Sequence, residues 1–327
     1  MRPRVVLFAY HTFGARVLEA LGARGEDIVA VVTHEDDPGE RRWFDSVAAL
    51  AAEHGLPVLT PRSPNTPEVA QALAALAPDV FVSVWYRRLL GPPLLRLPRI
   101  AAVNLHGSLL PAYRGRAPVN WVLVNGESRT GVTLHHMTPE ADAGDVVAQV
   151  PVDIEREDTA LTLYGRIVKA GVDLLLHSYG ALVAGTAPRT PQDPARASFY
   201  GRRGAEDGRV EWTWTAARIA NMIRAVTHPF PGAFAGDGAE RLHLWAGTAL
   251  DVSAPYSPGC LIDIRAGQGI TVAAGDGMVL LTRVQGAGAA EEPADEWAAR
   301  CRLAPGFRIT QGESAMTTQR NARQGGS

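Results

Sequence analysis

The amino-acid sequence predicts an α/β protein: an open, largely parallel sheet with helices on both faces, followed by a small β-rich domain. Three observations lead there. The chain has 327 residues, more than one typical domain at roughly 150 residues each. Its first half alternates short apolar runs with amphipathic segments, the βαβα rhythm of a parallel sheet. Beyond about residue 188 the texture changes to short strand-like runs separated by Gly and Pro, the pattern of a small barrel or sandwich.

The elements follow in order. Residues 4–10 read as a buried strand, 11–14 as a turn, and 15–21 as a helix with Val17, Leu18 and Leu21 on one face. A strand at 28–33, a polar loop at 34–40, a helix at 44–54, a strand at 57–59, a helix at 67–77 and a strand at 80–84 continue the alternation. A further strand, 100–106, runs into a Gly- and Pro-rich stretch, 107–118. Irregular chain directly after a parallel strand is where such sheets place their ligands. Strands at 130–137 and 145–152 flank an acidic loop, and 159–182 reads as a long amphipathic helix. Residues 188–194 have the Pro-rich composition of a linker. The later strands, 209–214, 242–246, 260–264, 270–274 and 278–284, are interrupted by one helix at 216–225. The expected organisation is a first domain 1–187, a linker 188–204, a β-rich unit 205–305 and a disordered tail 306–327.

Composition narrows the function. With 46% hydrophobic and 20% charged residues, the chain is not a disordered or fibrous one. Thirty-two basic against thirty-four acidic side chains, a net charge of −2, argue against nucleic acid as a partner. Cys260 and Cys301 belong to no Cys/His cluster, so neither a disulfide framework nor a metal site is indicated. No stretch approaches the ~18 apolar residues of a membrane span, and the run Val5 to Ala9 is too brief for a signal peptide. A soluble cytoplasmic protein with no membrane partner is expected.

The chemistry centres on the run from Asn104 to Pro111. Strand alternation puts Asn104 and His106 on the same face. An Asn amide can hold a carbonyl oxygen, and a nearby His can give or accept a proton near neutral pH. Together they suit attack on a carbonyl carbon. Asp142, in the acidic loop, is the best candidate for the carboxylate that orients the ring. Spacing alone does not bring it to His106; for an isolated strand-end His, satisfying a backbone carbonyl is the plainer reading, and what alters the balance is the combination of two polar side chains facing one way, a Gly/Pro loop and an acidic loop. Other features read as structural: His135 and His136 point to opposite faces, too divergent to share a metal. His34 with Glu35, Asp36 and Asp37 reads as a solvated loop, Trp212 and Trp214 as core, and Lys169 as surface.

The run Asn104-Leu105-His106-Gly107-Ser108-Leu109-Leu110-Pro111-Ala112-Tyr113-Arg114-Gly115 resembles the signature of the folate-dependent formyltransferases. The continuation through Arg116, Asn120, Trp121 and Glu127, with Thr130 to His135, is most similar to the ArnA-type formyltransferase domains, which act on UDP-4-amino-4-deoxy-L-arabinose. So are Phe8 to His11, Thr33 to Glu40, Phe199 to Arg203 and Pro229 to Phe234, and the likeness extends over about residues 1–305.

The resemblance implies a Rossmann-like catalytic domain, an OB-like second domain, and transfer of formyl from 10-formyltetrahydrofolate to a primary amine. Asn104 would polarise the formyl oxygen, His106 would protonate the departing folate nitrogen, and Asp142 would hold the His106 ring and favour its charged form. Folate contacts map onto Arg88, Leu89, Leu90, Arg116, Thr138, Pro139, Glu140, Ala141 and Asp142. At Arg88 and across Thr138 to Glu140 the side chains differ from the ArnA type, so backbone contacts are expected there. ArnA-type proteins also carry a dinucleotide-binding decarboxylase domain. No Gly-x-Gly-x-x-Gly follows the first strand here, so neither NAD nor oxidative decarboxylation is expected. The implied substrate is a nucleotide-linked amino sugar, UDP-4-amino-4-deoxy-L-arabinose first, in lipopolysaccharide modification, and a homo-oligomer is compatible with this. Competing readings are a methionyl-tRNA formyltransferase, a formyltransferase for a hydroxyornithine-like amine, and a folate-binding regulatory protein without turnover.

Overall fold

The structure is a computed structural model and describes residues 2–36, 42–238, 241–252 and 256–309. The chain divides into two compact units. The first comprises 1–118, 128–155 and 163–202, and the second 119–127, 156–162 and 203–327. Two short segments that precede residue 188 in sequence therefore group with the second unit.

In the first unit, strand β1 (Arg4–Ala9) leads into helix α1 (His11–Ala23) and strand β2 (Asp27–Val32). Helix α2 (Val47–Glu53), strand β3 (Val58–Leu59), helix α3 (Pro67–Ala75) and strand β4 (Val80–Val84) follow. Then come the short helix α4 (Pro92–Leu95), strand β5 (Ala101–His106) and the two-residue strand β6 (Arg114–Gly115); helix α5 (Pro118–Val124), next in the chain, groups with the second unit from Val119 on. Strands β7 (Arg129–His136) and β8 (Val146–Asp153), helix α6 (Ala160–Val183) and the two-residue strand β9 (Phe199–Tyr200) complete this half. The main sheet has the order β3-β2-β1-β4-β5-β7-β8. Its first five strands are parallel, and β7 and β8 are antiparallel to their neighbours.

Sequence explains most of this. Every residue of β4 is buried, as an apolar run with helices on both faces must be. Edge strand β8 alternates between covered and open positions instead. Helices α2 and α3 start on capping hydroxyls: Ser46 accepts from the Ala49 amide, and Thr66 from the Val69 amide, with Pro67 in the first turn. One face of the sheet carries Val6, Phe8, Ala30, Val32 and Phe81, packed with Leu73, Leu90 and Leu94. Phe8 and Phe81 meet edge to face with centroids 5.0 Å apart.

The expected turn at 11–14 is instead the first turn of α1. His11 takes a left-handed φ of 68°, which lets the chain enter the helix without a spacer. Gly14 makes that tight start fit, since a Cβ there would lie 2.9 Å from the Ala9 Cβ. The Pro-rich stretch after α6 is also more than a tether: Thr190 bridges Val146, and β9 pairs in parallel with β6.

The second unit is an antiparallel sheet built from β10 (Ala233–Ala235), β11 (Leu242–Leu250), β12 (Leu261–Arg265), β13 (Gly269–Ala273) and β14 (Met278–Gly286). The order is β10-β11-β14-β13-β12, and β15 (Glu292–Pro293) pairs with β14. Helices α7 (Ala216–Val226) and α8 (Ala294–Arg300) accompany it. The strand expected at 209–214 is reduced to one bridge between Arg209 and Phe234. Trp212 is buried there, but Trp214 is half-buried, with the Arg218 guanidinium 3.9 Å from its ring centroid. Residues 306–309, expected in the tail, fold back on β12: the Leu261 amide bonds to the Phe307 carbonyl and the Ile309 amide to the Gly259 carbonyl. The rest of the expected tail, 310–327, and Asp37 of the acidic loop lie outside the described residues. No helix among the described residues is long and apolar enough to cross a membrane.

Phe81 is fully buried at the centre of the first unit's core. Phe81→Ala should destabilise that unit by about 3–5 kcal/mol, by loss of transfer energy and creation of a cavity. Urea unfolding followed by tryptophan fluorescence measures this.

Candidate active site

Strand β5 lies between parallel β4 and antiparallel β7. That register sets Asn104 opposite His135 and His106 opposite Thr133. Directly opposed residues share a face of the sheet, and the Asn104 Nδ2 lies 3.1 Å from the His135 Nε2. The His135 Nδ1–H donates to the His136 carbonyl at 2.9 Å, which leaves Nε2 to accept from the Asn104 amide. Asn104 thus commits one amide hydrogen to the protein and keeps the second for a ligand oxygen.

His106 is buried at the mouth of the Gly/Pro loop, and its Nε2–H donates to the Tyr113 carbonyl at 2.7 Å. Asp142 approaches from the loop between β7 and β8, in a left-handed conformation with φ 54°. Its Oδ1 lies 3.5 Å from both the His106 Nδ1 and the His135 Nε2. Its Oδ2 accepts from the Gly115 amide at 2.9 Å. Gly115 itself sits at φ 99°, where a Cβ would fall 2.3 Å from the Tyr200 carbonyl oxygen, so strand β9 can lie against it only because it is glycine.

Burial alone would push the Asp142 carboxyl up. The charge of His106, the neighbouring His135 and the Gly115 amide outweigh it and hold the group well below the usual carboxylate range. The ring of His106 therefore stands between the Asp142 carboxylate, which faces its Nδ1, and the Tyr113 carbonyl at its Nε2.

The structure therefore brings Asn104, His106 and Asp142 into one cluster and adds His135, which sequence reasoning treated as structural. The missing signal was the β5–β7 register. Once these strands are paired antiparallel, His135 falls opposite Asn104.

The expected folate-contacting residues fall on three joined segments at the same end of the sheet. Arg88 and Leu89 are exposed on the loop after β4, Leu89 to 60%. Leu90, by contrast, is buried in the sheet's apolar core. Arg116 is exposed and donates from Nη2 to the Arg87 carbonyl at 3.1 Å. Thr138, Pro139 and Glu140 are exposed, Ala141 and Asp142 half-buried, and the Thr138 hydroxyl donates to the Glu140 carbonyl. Leu89 thus presents exposed apolar surface on the same loop as the exposed Arg88.

Residues 2–178 match the model of the formyl transferase family, and residues 204–302 match its C-terminal domain. The chain belongs to the formyltransferase family. Among solved structures, it is similar to WlaRD, a sugar 3N-formyltransferase determined with dTDP and 5-N-formyl-THF (17% identity, TM-score 0.66, 86% of this chain and 97% of that one). It is similar to an N-formyltransferase from Helicobacter canadensis in complex with folinic acid and dTDP-3-aminofucose (19% identity, TM-score 0.67, 86% and 99%). It also resembles HypX from Aquifex aeolicus in complex with tetrahydrofolic acid (18% identity, TM-score 0.61), covering 92% of this chain but 47% of HypX.

After β1 and β4, where the strand order reverses, this formyltransferase packs a cluster of aromatic rings. His11 is stacked on Phe44 with ring centroids 4.0 Å apart, and its Nδ1 is 2.7 Å from the Tyr164 hydroxyl. Burial, then the charge of Arg87, lowers the His11 pKa to about 3. His34 is half-buried rather than solvated: its ring stacks on Tyr86, its Nε2 accepts from the Arg87 amide, and burial with Arg87 and Arg88 lowers it to about 4. For His11 the unfolded chain, with a pKa near 6.5, binds a proton that the folded one refuses. Stability is therefore lost as pH falls from about 6.5 towards about 3. Relative to His11→Gln, the wild-type protein should lose about 1–2 kcal/mol between pH 7 and pH 5, measured by urea unfolding at each pH.

Proposed function

We propose that this formyltransferase moves a formyl group from 10-formyltetrahydrofolate to the primary amine of a nucleotide-linked amino sugar. UDP-4-amino-4-deoxy-L-arabinose is the first acceptor to test. The observation that carries the reading is the Asp142 carboxylate, set 3.5 Å from His106 and 3.5 Å from the His135 ring that anchors Asn104. The folate donor, held along Leu89, Arg88, Arg116 and the loop 138–142, supplies an activated formyl carbon.

Asn104 donates its second amide hydrogen to the formyl oxygen, where negative charge gathers as the amine adds. His106 carries the proton for the departing nitrogen at Nε2, exchanging its Tyr113 bond for that partner. Asp142 remains ionised, holds the ring through Nδ1, and balances its positive charge. The C–N bond to the acceptor forms as the C–N bond to the donor breaks, and the proton lost by the amine restores His106.

An amino-sugar acceptor is supported by the slightly negative net charge of −2, which disfavours a polyphosphate partner such as tRNA. It is also supported by the nucleotide and folate ligands of the WlaRD and Helicobacter canadensis structures. The WlaRD and Helicobacter canadensis ligands make dTDP-linked amino sugars the second set of acceptors to test.

Asn104→Ala, His106→Ala and Asp142→Ala should each lower turnover by on the order of 10²–10⁴. The losses should not multiply, and 5-formyltetrahydrofolate should still raise the melting temperature of each variant. A formyl-transfer assay against UDP- and dTDP-linked amino sugars, with charged initiator tRNA alongside, tests both chemistry and acceptor. Efficient tRNA formylation that falls steeply with salt would replace the amino-sugar reading.

A further inference from the structure

Residues 188–200, linker-like in composition, are bonded to the catalytic segments along their length. The His136 Nε2–H donates to the Pro188 carbonyl at 3.2 Å. The amides of Tyr113 and Arg114 donate to the hydroxyl and the carbonyl of Ser198, each at 2.9 Å, and the Ser198 amide donates to the Pro111 carbonyl at 3.2 Å. The Arg116 amide donates to the Tyr200 carbonyl at 2.9 Å. Gln192 is the member of this strap that reaches Asp142.

The half-buried Gln192 amide donates from Nε2 to the Asp142 carbonyl at 2.8 Å and to the Gly144 carbonyl at 2.7 Å. Its Oε1 accepts from the Arg114 Nε at 3.1 Å and Nη2 at 2.8 Å. The orientation is unambiguous, because a flipped amide would set oxygen against two carbonyls and NH2 against a guanidinium. One side chain therefore ties together the turn that carries Asp142 and the strand whose Gly115 amide binds the same carboxylate. Asp142 is a non-glycine residue at φ 54°, a conformation that persists only where neighbours hold it. Gln192 supplies the hydrogen bond to its carbonyl.

We infer that Gln192 is a positioning residue for formyl transfer: it fixes the left-handed turn of Asp142 and so the aim of the carboxylate at His106 and His135. The inference rests on the reading of Asp142 given above. A displaced carboxylate loses orientation without loss of binding, and misplacement of this kind costs about 10- to 100-fold in rate. Gln192→Glu separates the two halves of the contact. It keeps an acceptor for Arg114 but turns the donor to Asp142 and Gly144 into a second acceptor.

The test compares wild type, Gln192→Ala, Gln192→Glu, Asp142→Asn and the Asp142→Asn/Gln192→Ala double variant. Both Gln192 variants should lose about 10- to 100-fold in kcat, with KM for each substrate within about twofold of wild type. Gln192→Ala should cost nothing further in the Asp142→Asn background. A kcat near wild type in Gln192→Glu, or equal losses with and without Asp142, would reduce Gln192 to a structural tie and overturn the inference. Should Gln192→Ala not fold, Gln192→Glu carries the same comparison. A second readout needs no turnover: the ring 15N signals of His106 and His135 should move in the Gln192 variants. Unchanged ring signals would overturn the positioning role even if transfer proceeds. If the wild-type enzyme transfers no formyl group, the functional reading fails, and the ring signals alone decide the role of Gln192.

Discussion

An ionised carboxylate taken out of water needs partners, and at Asp142 three segments of the first unit supply them. His106 comes from the end of β5, His135 from β7 and the Gly115 amide from β6. The Gln192 amide, from the strap after α6, holds the backbone carbonyl of the same residue. The carboxylate stays charged because they converge, and they converge around a charge that would otherwise be expelled. The same arrangement divides the work at Asn104: one amide hydrogen is held by His135 and the other is left for a ligand oxygen.

The sheet makes this convergence possible. Five parallel strands set their carboxyl ends along one edge, and antiparallel β7 then returns beside β5. That reversal brings His135 level with Asn104 and delivers the acidic loop over His106. At the neighbouring order reversal, between β1 and β4, aromatic rings pack around a neutral His11.

How far the sequence foretold this depends on the kind of information each feature needs. Asn104 and His106 were legible because period-two alternation is local, and the parallel-sheet class because burial on both faces leaves continuous apolar runs. Asp142 was legible as an acidic loop residue, but its reach to His106 required a family signature. His135 was missed because register is a pairing property, invisible until two strands are aligned. Gln192 was missed because Pro-rich composition reads as a tether, whereas here the prolines stiffen a strap whose polar groups are used by the catalytic loop. Gly14 read as the end of a turn, yet its bare Cα is what lets the first turn of α1 pack against Ala9. Leu90 kept its place in the expected ligand loop, but its side chain belongs to the apolar core.

The account stands on the charge state of one side chain. The most direct measurement is an NMR titration of the Asp142 carboxyl carbon in the folded protein, from pH 7 down to about pH 3, with Asp142→Asn to identify the signal. The account predicts that the carboxyl stays ionised throughout the ordinary range near 3.9, because His106, His135 and Gly115 hold it below that range. Protonation with a midpoint between pH 4 and pH 6 would contradict it, since a neutral Asp142 could neither balance a charged His106 nor organise the residues around it.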